Sequence, residues 1–224
     1  AADRYLILMH VNHVDKADRS TGATADLLTA APLLVEAGDR EGYEQVRRLA
    51  LARLTGTSNA AAAEQFLKTS LLLPADPELM KALEPFARLV AKSLVNYDPH
   101  ENDGRYYRAS WRALALGLWE YRRENYSTCL EWLQKCSDYP DQSVSCVAGA
   151  HLIRSMVRHH LGENETARKD LTAGKGMVED YFSKKLELGN EKEGRLAGWI
   201  MNAIFLHESE QVLNPSLNSA VNAN

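Results

Sequence analysis

Chemistry in this sequence has to be sought among its seven histidines, three cysteines and clustered carboxylates. His10 and His13, followed by Asp15 and Asp18, would offer nitrogen and oxygen donors to a metal if that stretch were helical. The reading taken is a partly exposed N-terminal segment with two polar histidines. His159 and His160 are adjacent, so on a helix they point about 100° apart and do not readily share one ion. Asp98, His100, Glu101 and Asp103 form a loop cluster that would attract a cation in principle, and are read as solvated polarity. His207-Glu208 lacks the second histidine of a zinc-protease motif. Thr172-Ala-Gly-Lys-Gly-Met177 superficially matches a phosphate loop, but Lys175 is followed by Gly176 instead of Ser or Thr, and no strand precedes it. There is no GxSxG elbow, no GxGxxG loop, no VAIK-like lysine, no HRD loop and no DFG. The expectation is a chain with no catalytic residue, no metal site and no cofactor, the alternative being an enzyme whose site is assembled from scattered residues that sequence spacing does not reveal.

The cysteines support that reading. Cys129 and Cys136 stand seven apart, on one face of a helix, and with Cys146 they make an odd number without a CxxC pair. They are read as reduced, core-facing thiols of a cytoplasmic protein. The net charge of −4, with both signs interspersed, leaves no basic footprint for phosphates, so nucleic acid is not an expected partner. No apolar run approaches the roughly 20 residues that cross a bilayer, and the N-terminus lacks the order of a signal peptide, so no membrane insertion is expected. The start at Ala1-Ala2-Asp3 is compatible with a piece of a longer protein or with processing.

What positions these residues is a run of helices. With 45% hydrophobic residues, 224 positions suffice for one or two packed units. Helical periodicity dominates from about Asp26, and β-branched alternation is almost absent, so the class is all-α. Residues 1–25 are set apart, because Tyr5 to Val14 fits either a short helix or a strand. Beyond them, helices are expected at about 26–37 (stopped by Gly38-Asp39), 40–54 (stopped by Gly56), 60–73 (capped by Thr57, Ser58 or Asn59 and ended by Pro74) and 77–96. The last of these opens at Asp76-Pro77 and should be kinked or shifted by Pro85. Further helices follow at about 105–123, 126–138, 143–161, 165–186 and 193–213. Residues 214–224, rich in Asn and Ser, are expected to be a disordered tail. Residues 26–213 then form a single helical-repeat domain.

The pairs carry a repeat. In the clearest copy Leu116-Gly117 is a close-contact pair, Tyr121 an aromatic after it, Tyr126 the start of the return helix, and Cys129 and Cys136 are small crossing residues. The next copy has Gly162 at its turn and Ala167 at the crossing, followed by Leu171 and Gly174. A weaker one has Ala87 and Ala91, and Gly38 with Ala50 sketches the first. This pattern resembles the tetratricopeptide (TPR) motif. It implies a right-handed superhelix of about four antiparallel helix pairs plus a C-terminal capping helix. Tyr43, Ala87, Cys129 and Ala167 are 44, 42 and 38 residues apart, longer than the roughly 34 of that motif, so an irregular superhelix is expected.

Over most of its length the chain also resembles the C-terminal TPR-like segment of large multidomain bacterial serine/threonine kinases. The likeness rests on Ala37-Gly-Asp-Arg-Glu-Gly-Tyr43, Leu71-Leu-Leu-Pro74, Ala115-Leu-Gly-Leu-Trp-Glu-Tyr121, His159-His-Leu-Gly162 with Glu165 to Arg168, and the closing Trp199 to Glu210. It implies an accessory, non-catalytic scaffold that binds a protein or peptide, with the catalytic domain encoded elsewhere. By the TPR register the first helix of each pair lines a concave groove. Trp111, Leu114, Leu118, Tyr121 and Arg122 are then candidate peptide contacts, with Leu152, Met156, His159 and His160 from the next pair. Several of these are apolar and have burial between pairs as the alternative. Arg122 suggests an acidic or C-terminal carboxylate ligand. A homodimer is a further option, through a terminal helix exposing Trp199, Ile200 and Phe205.

Overall fold

The computed structural model describes residues 22–95, 106–139, 142–183 and 196–215. Among these the chain is all-helical, with no strand. The elements are α1 (Gly22–Glu36), α2 (Arg40–Leu54), α3 (Ala60–Ser70), α4 (Pro77–Lys92), α5 (Tyr106–Arg122), α6 (Tyr126–Asp138), α7 (Val144–His160), α8 (Asn164–Ser183) and α9 (Leu196–Leu213). The expectations for residues 1–21, for the loop with Asp98, His100, Glu101 and Asp103, and for the tail beyond residue 215 lie outside the described residues.

Caps set the helix starts. Asp39 accepts from the Gly42 N–H (2.9 Å), Asn59 from Ala61 and Ala62 (2.9 and 3.2 Å), Asp76 from Leu79 (2.7 Å), and Ser143 from Cys146 (3.2 Å). Each satisfies an orphan donor of a first turn. Pro77 takes the first helical position of α4, where its missing N–H costs nothing.

One turn recurs three times. Gly38, Glu124 and Gly162 all have positive φ (72°, 61° and 79°). Each donates its N–H to the carbonyl three residues back, and the following residue donates to the one five back: Asp39 to Leu34 (2.9 Å), Asn125 to Glu120 (2.9 Å) and Glu163 to Arg158 (2.8 Å). This is the Schellman closure, and it makes α1–α2, α5–α6 and α7–α8 repeats of one backbone unit. Glu124 occupies a conformation that costs an L-residue about 1–2 kcal/mol and a glycine nothing.

Some boundaries move. α1 begins at Gly22, four residues before Asp26, and α4 runs through Pro85 unbroken. α3 ends at Ser70, short of Leu73, because two buried arginines claim the carbonyls that follow. Arg47 of α2 donates to Leu73 O (2.7 Å), and Arg122 of α5 to Leu71 O and Leu72 O (both 3.0 Å). Tyr43 adds an O–H to Thr69 O at 2.8 Å.

Helices pack as antiparallel pairs, α1 with α2, α3 with α4, α5 with α6 and α7 with α8, and each second helix also meets the next pair's first. Small residues make the crossings close. A Cβ added at Gly117 would lie 2.7 Å from Leu133 Cδ2, and one at Gly174 2.7 Å from Leu152 Cδ2. Tyr43, Ala87, Cys129, Cys136 and Ala167 are all buried, as is Leu116, while Ala91 and Tyr126 are half-buried against the same core.

The first helices also touch in a row, α1 to α3 to α5 to α7, and α9 extends the row by packing on α7 and α8 and then reaching α1. The five helices therefore close a cycle. α9 runs in the same sense as α5 and α7: Gly198 lies beside Trp111 and Ser145, and ten or eleven residues later Glu208 and Ser209 meet Arg122 and Leu152 O. Its burial corrects the picture of a terminal helix free for a second copy. Trp199, Met201, Ile204, Phe205 and Leu206 are buried on more than one face, Ile200 is half-buried, and Trp199 stacks on Tyr181 with ring centroids 4.4 Å apart. A helix apolar around most of its circumference belongs inside a fold.

Candidate functional site

The residues expected to face a groove come from α5 and α7, and the structure divides them. Leu118 and Met156 are core, 1% and 0% exposed, as are Leu114 and Leu152. The apolar side of each first helix is consumed by its neighbours in the cycle, so these residues are corrected from contact surface to packing. Trp111 is half-buried and carries the Lys68 ammonium 4.0 Å above its ring; Lys68 also bonds Glu64 at 2.6 Å. At the end of α7 His159 is half-buried and His160 exposed, and His160 stacks on Tyr126, centroids 5.0 Å apart and planes within 3°.

Tyr121 and Arg122 show how the inner face is used. The Arg122 side chain is 5% exposed and forms a forked pair with Glu208 of α9, Nη2 lying 2.8 Å from Oε2 and Nη1 bonding Oε1. Tyr121 donates its O–H to the same carboxylate at 3.3 Å, with Met156 Sδ 3.4 Å away. Burial alone would lower the guanidinium's pKa, but the hydrogen bonds and charge of Glu208 raise it above its ordinary value. Burial first, then the Glu208 charge, push the Tyr121 phenol up. Arg122 does hold a carboxylate bidentately, as its chemistry suggested. That carboxylate is the chain's own, 86 residues away, so neither residue presents an open contact.

A second charged cluster joins α7 to α8. Asp170, buried, accepts from Arg154 (2.7–3.0 Å) and Arg158 (2.6 Å) and lies 2.8 Å from His151 Nδ1. Burial pushes its carboxyl up, but the hydrogen bonds from His151 and Arg154 and the charges of Arg154 and Arg158 outweigh it and hold it below its usual value. His151, Arg154 and Arg158 recur at i, i+3 and i+7, the readable signal of one helix stripe.

Outside the cycle, the end of α4 and the second half of α6 flank an open cleft of about 430 Å³. Ala91, Leu94 and Val95 line it on one side, and Trp132, Lys135, Asp138 and Tyr139 on the other. Val95 is 75% exposed, and Lys135 sits 4.4 Å over the Trp132 ring. The stripe Trp132, Lys135, Tyr139, beside the buried Cys129–Leu133–Cys136 face, was the signal in the sequence for this surface.

The remaining candidates fall plainly. Thr172–Met177 lies in the middle of α8. Among the described residues no group of three or more His, Cys, Asp or Glu is placed to hold a metal, and no helix is long and apolar enough to cross a membrane. Comparison with protein-family models, with curated proteins and with solved structures returned no match to this chain.

Proposed function

We propose that the chain is a non-catalytic, TPR-like protein-interaction scaffold, an accessory region of a bacterial serine/threonine kinase, that meets its partner on its outer helices. Three Schellman turns at equivalent places, small residues at the crossings and first helices stacked in a row support the TPR-like reading. The kinase context rests on the sequence likeness alone. The observation carrying the choice of surface is the Arg122–Glu208 pair: α9 is seated against the inner face, whereas the cleft between α4 and α6 is open and lined by exposed Val95 and half-buried Trp132 and Tyr139. An aromatic beside an aliphatic shelf, rimmed by one cation and one anion, suits a short peptide presenting a bulky apolar side chain.

Peptides selected from a display library against the folded chain test this. Binding should weaken at least about tenfold on Trp132→Ala, the cost typical of an aromatic anchor, and shifts of backbone amide resonances should map to α4 and α6. Binders indifferent to Trp132→Ala, or a selection without binders, would remove the proposed surface. The kinase context is tested separately by the coding sequence upstream of Ala1, where a kinase domain is expected.

A further inference from the structure

Cys136 lies in the last turn of α6 and Cys146 in the first turn of α7, and their sulfurs are 3.2 Å apart. Both thiols are free and fully buried. The gap is about 1.2 Å longer than a disulfide bond, and both residues sit at helix ends, where a small backbone adjustment does not break a helix interior. We propose that Cys136 and Cys146 form a disulfide site, so that an oxidant of the hydroperoxide or disulfide class ties α6 covalently to α7.

The two sulfurs have different parts. Cys146 is the third residue of α7, its N–H bonded to the Ser143 cap at 3.2 Å. Cys136 sits at the opposite, negative end of α6, and its hydrogen bond to Cys146, with burial, keeps it a neutral thiol. Because both sulfurs are buried, oxidation begins when the facing ends of α6 and α7 part, beside half-buried Tyr139 and exposed Val144. With a hydroperoxide, the Cys146 thiolate attacks one oxygen; the S–O bond forms, the O–O bond breaks, and the leaving alkoxide or hydroxide takes a proton. The Cys136 sulfur then attacks the sulfenyl sulfur; the S–S bond forms, the S–O bond breaks, and the thiol proton of Cys136 passes to the departing hydroxide, which leaves as water. Two thiols and one peroxide give one disulfide, one alcohol or water, and one further water. Cys129, two turns back on α6 and about 10 Å away by helical rise, takes no part.

The full chain is equilibrated for days in glutathione buffers from fully reduced to fully oxidised, so that burial affects the rate and not the end point. Samples are acid-quenched, alkylated in denaturant and mapped by mass. A Cys136–Cys146 peptide about 2 Da lighter than the dithiol, reversed by dithiothreitol, with Cys129 alkylated throughout, is the expected result. It should persist in Cys129→Ser and vanish in Cys146→Ser, each checked for native helicity. Three alkylated thiols in fully oxidised buffer, a cross-link through Cys129 or between chains, or an oxidised chain that melts below the reduced one would each overturn the proposal.

Discussion

Replacing Glu208 with alanine removes the carboxylate that neutralises Arg122 while leaving the guanidinium where it is, 5% exposed and still bonded to Leu71 O and Leu72 O. Carbonyl dipoles do not cancel a full charge, and orphaning one member of a buried pair costs about 3–5 kcal/mol. Glu208 itself is 21% exposed, so water reaches the vacated space and the lower figure applies, about 3 kcal/mol. For a domain of this size that is a fall in Tm of roughly 6–12 °C. Urea unfolding followed by helical circular dichroism gives the free energy directly. The double variant Arg122→Met/Glu208→Leu provides the control. With both charges gone and their volume filled, it should be more stable than Glu208→Ala alone, because breaking a pair costs more than replacing it. A loss below about 1 kcal/mol for Glu208→Ala, or additive losses in the double variant, would refute the claim that the pair is buried and mutually required.

Three further outcomes follow from the same geometry. Glu124→Gly, at the second Schellman turn, should raise stability by about 0.5–1 kcal/mol in urea unfolding, because glycine takes its positive φ without strain. Ala167→Leu, at a fully buried crossing, should lose about 1–3 kcal/mol by overpacking α8 against its neighbours, read in the same assay. Asp170 has a folded pKa below its unfolded value, so its contribution is present above about pH 4 and is lost as pH falls through the folded pKa; Asp170→Asn should cost about 2 kcal/mol at pH 7, with the gap to the unaltered chain narrowing in melts below about pH 4.

Helix existence and most boundaries were legible because their causes are local. Gly38 and Gly162 at turns, Asn59 and Asp76-Pro77 at caps, and small residues at 129, 136 and 167 act within a few positions of themselves. The groove contacts were not legible, for a reason visible in Arg122. Its chemistry said that it would hold a carboxylate, but periodicity tells only which face of a helix is buried, never what buries it. Glu208, 86 residues on, supplied the answer. The unevenly apolar α9 carried a warning, since Trp199, Met201, Ile204, Phe205 and Leu206 do not share one stripe. The Cys136–Cys146 approach was hidden likewise: the seven-residue spacing of Cys129 and Cys136 drew attention to one helix face, while the close sulfur lay on the next helix.

The measurement that bears most directly on the closed cycle of first helices is a crystal structure of the chain. α9 should lie along α5, α7 and α1, with the Glu208 carboxylate forked on Arg122 and His207 Nδ1 about 3.8 Å from the Glu36 carboxylate of α1. An α9 packed on the outside, or swung away so that Arg122 and Met156 line an open channel, would contradict it.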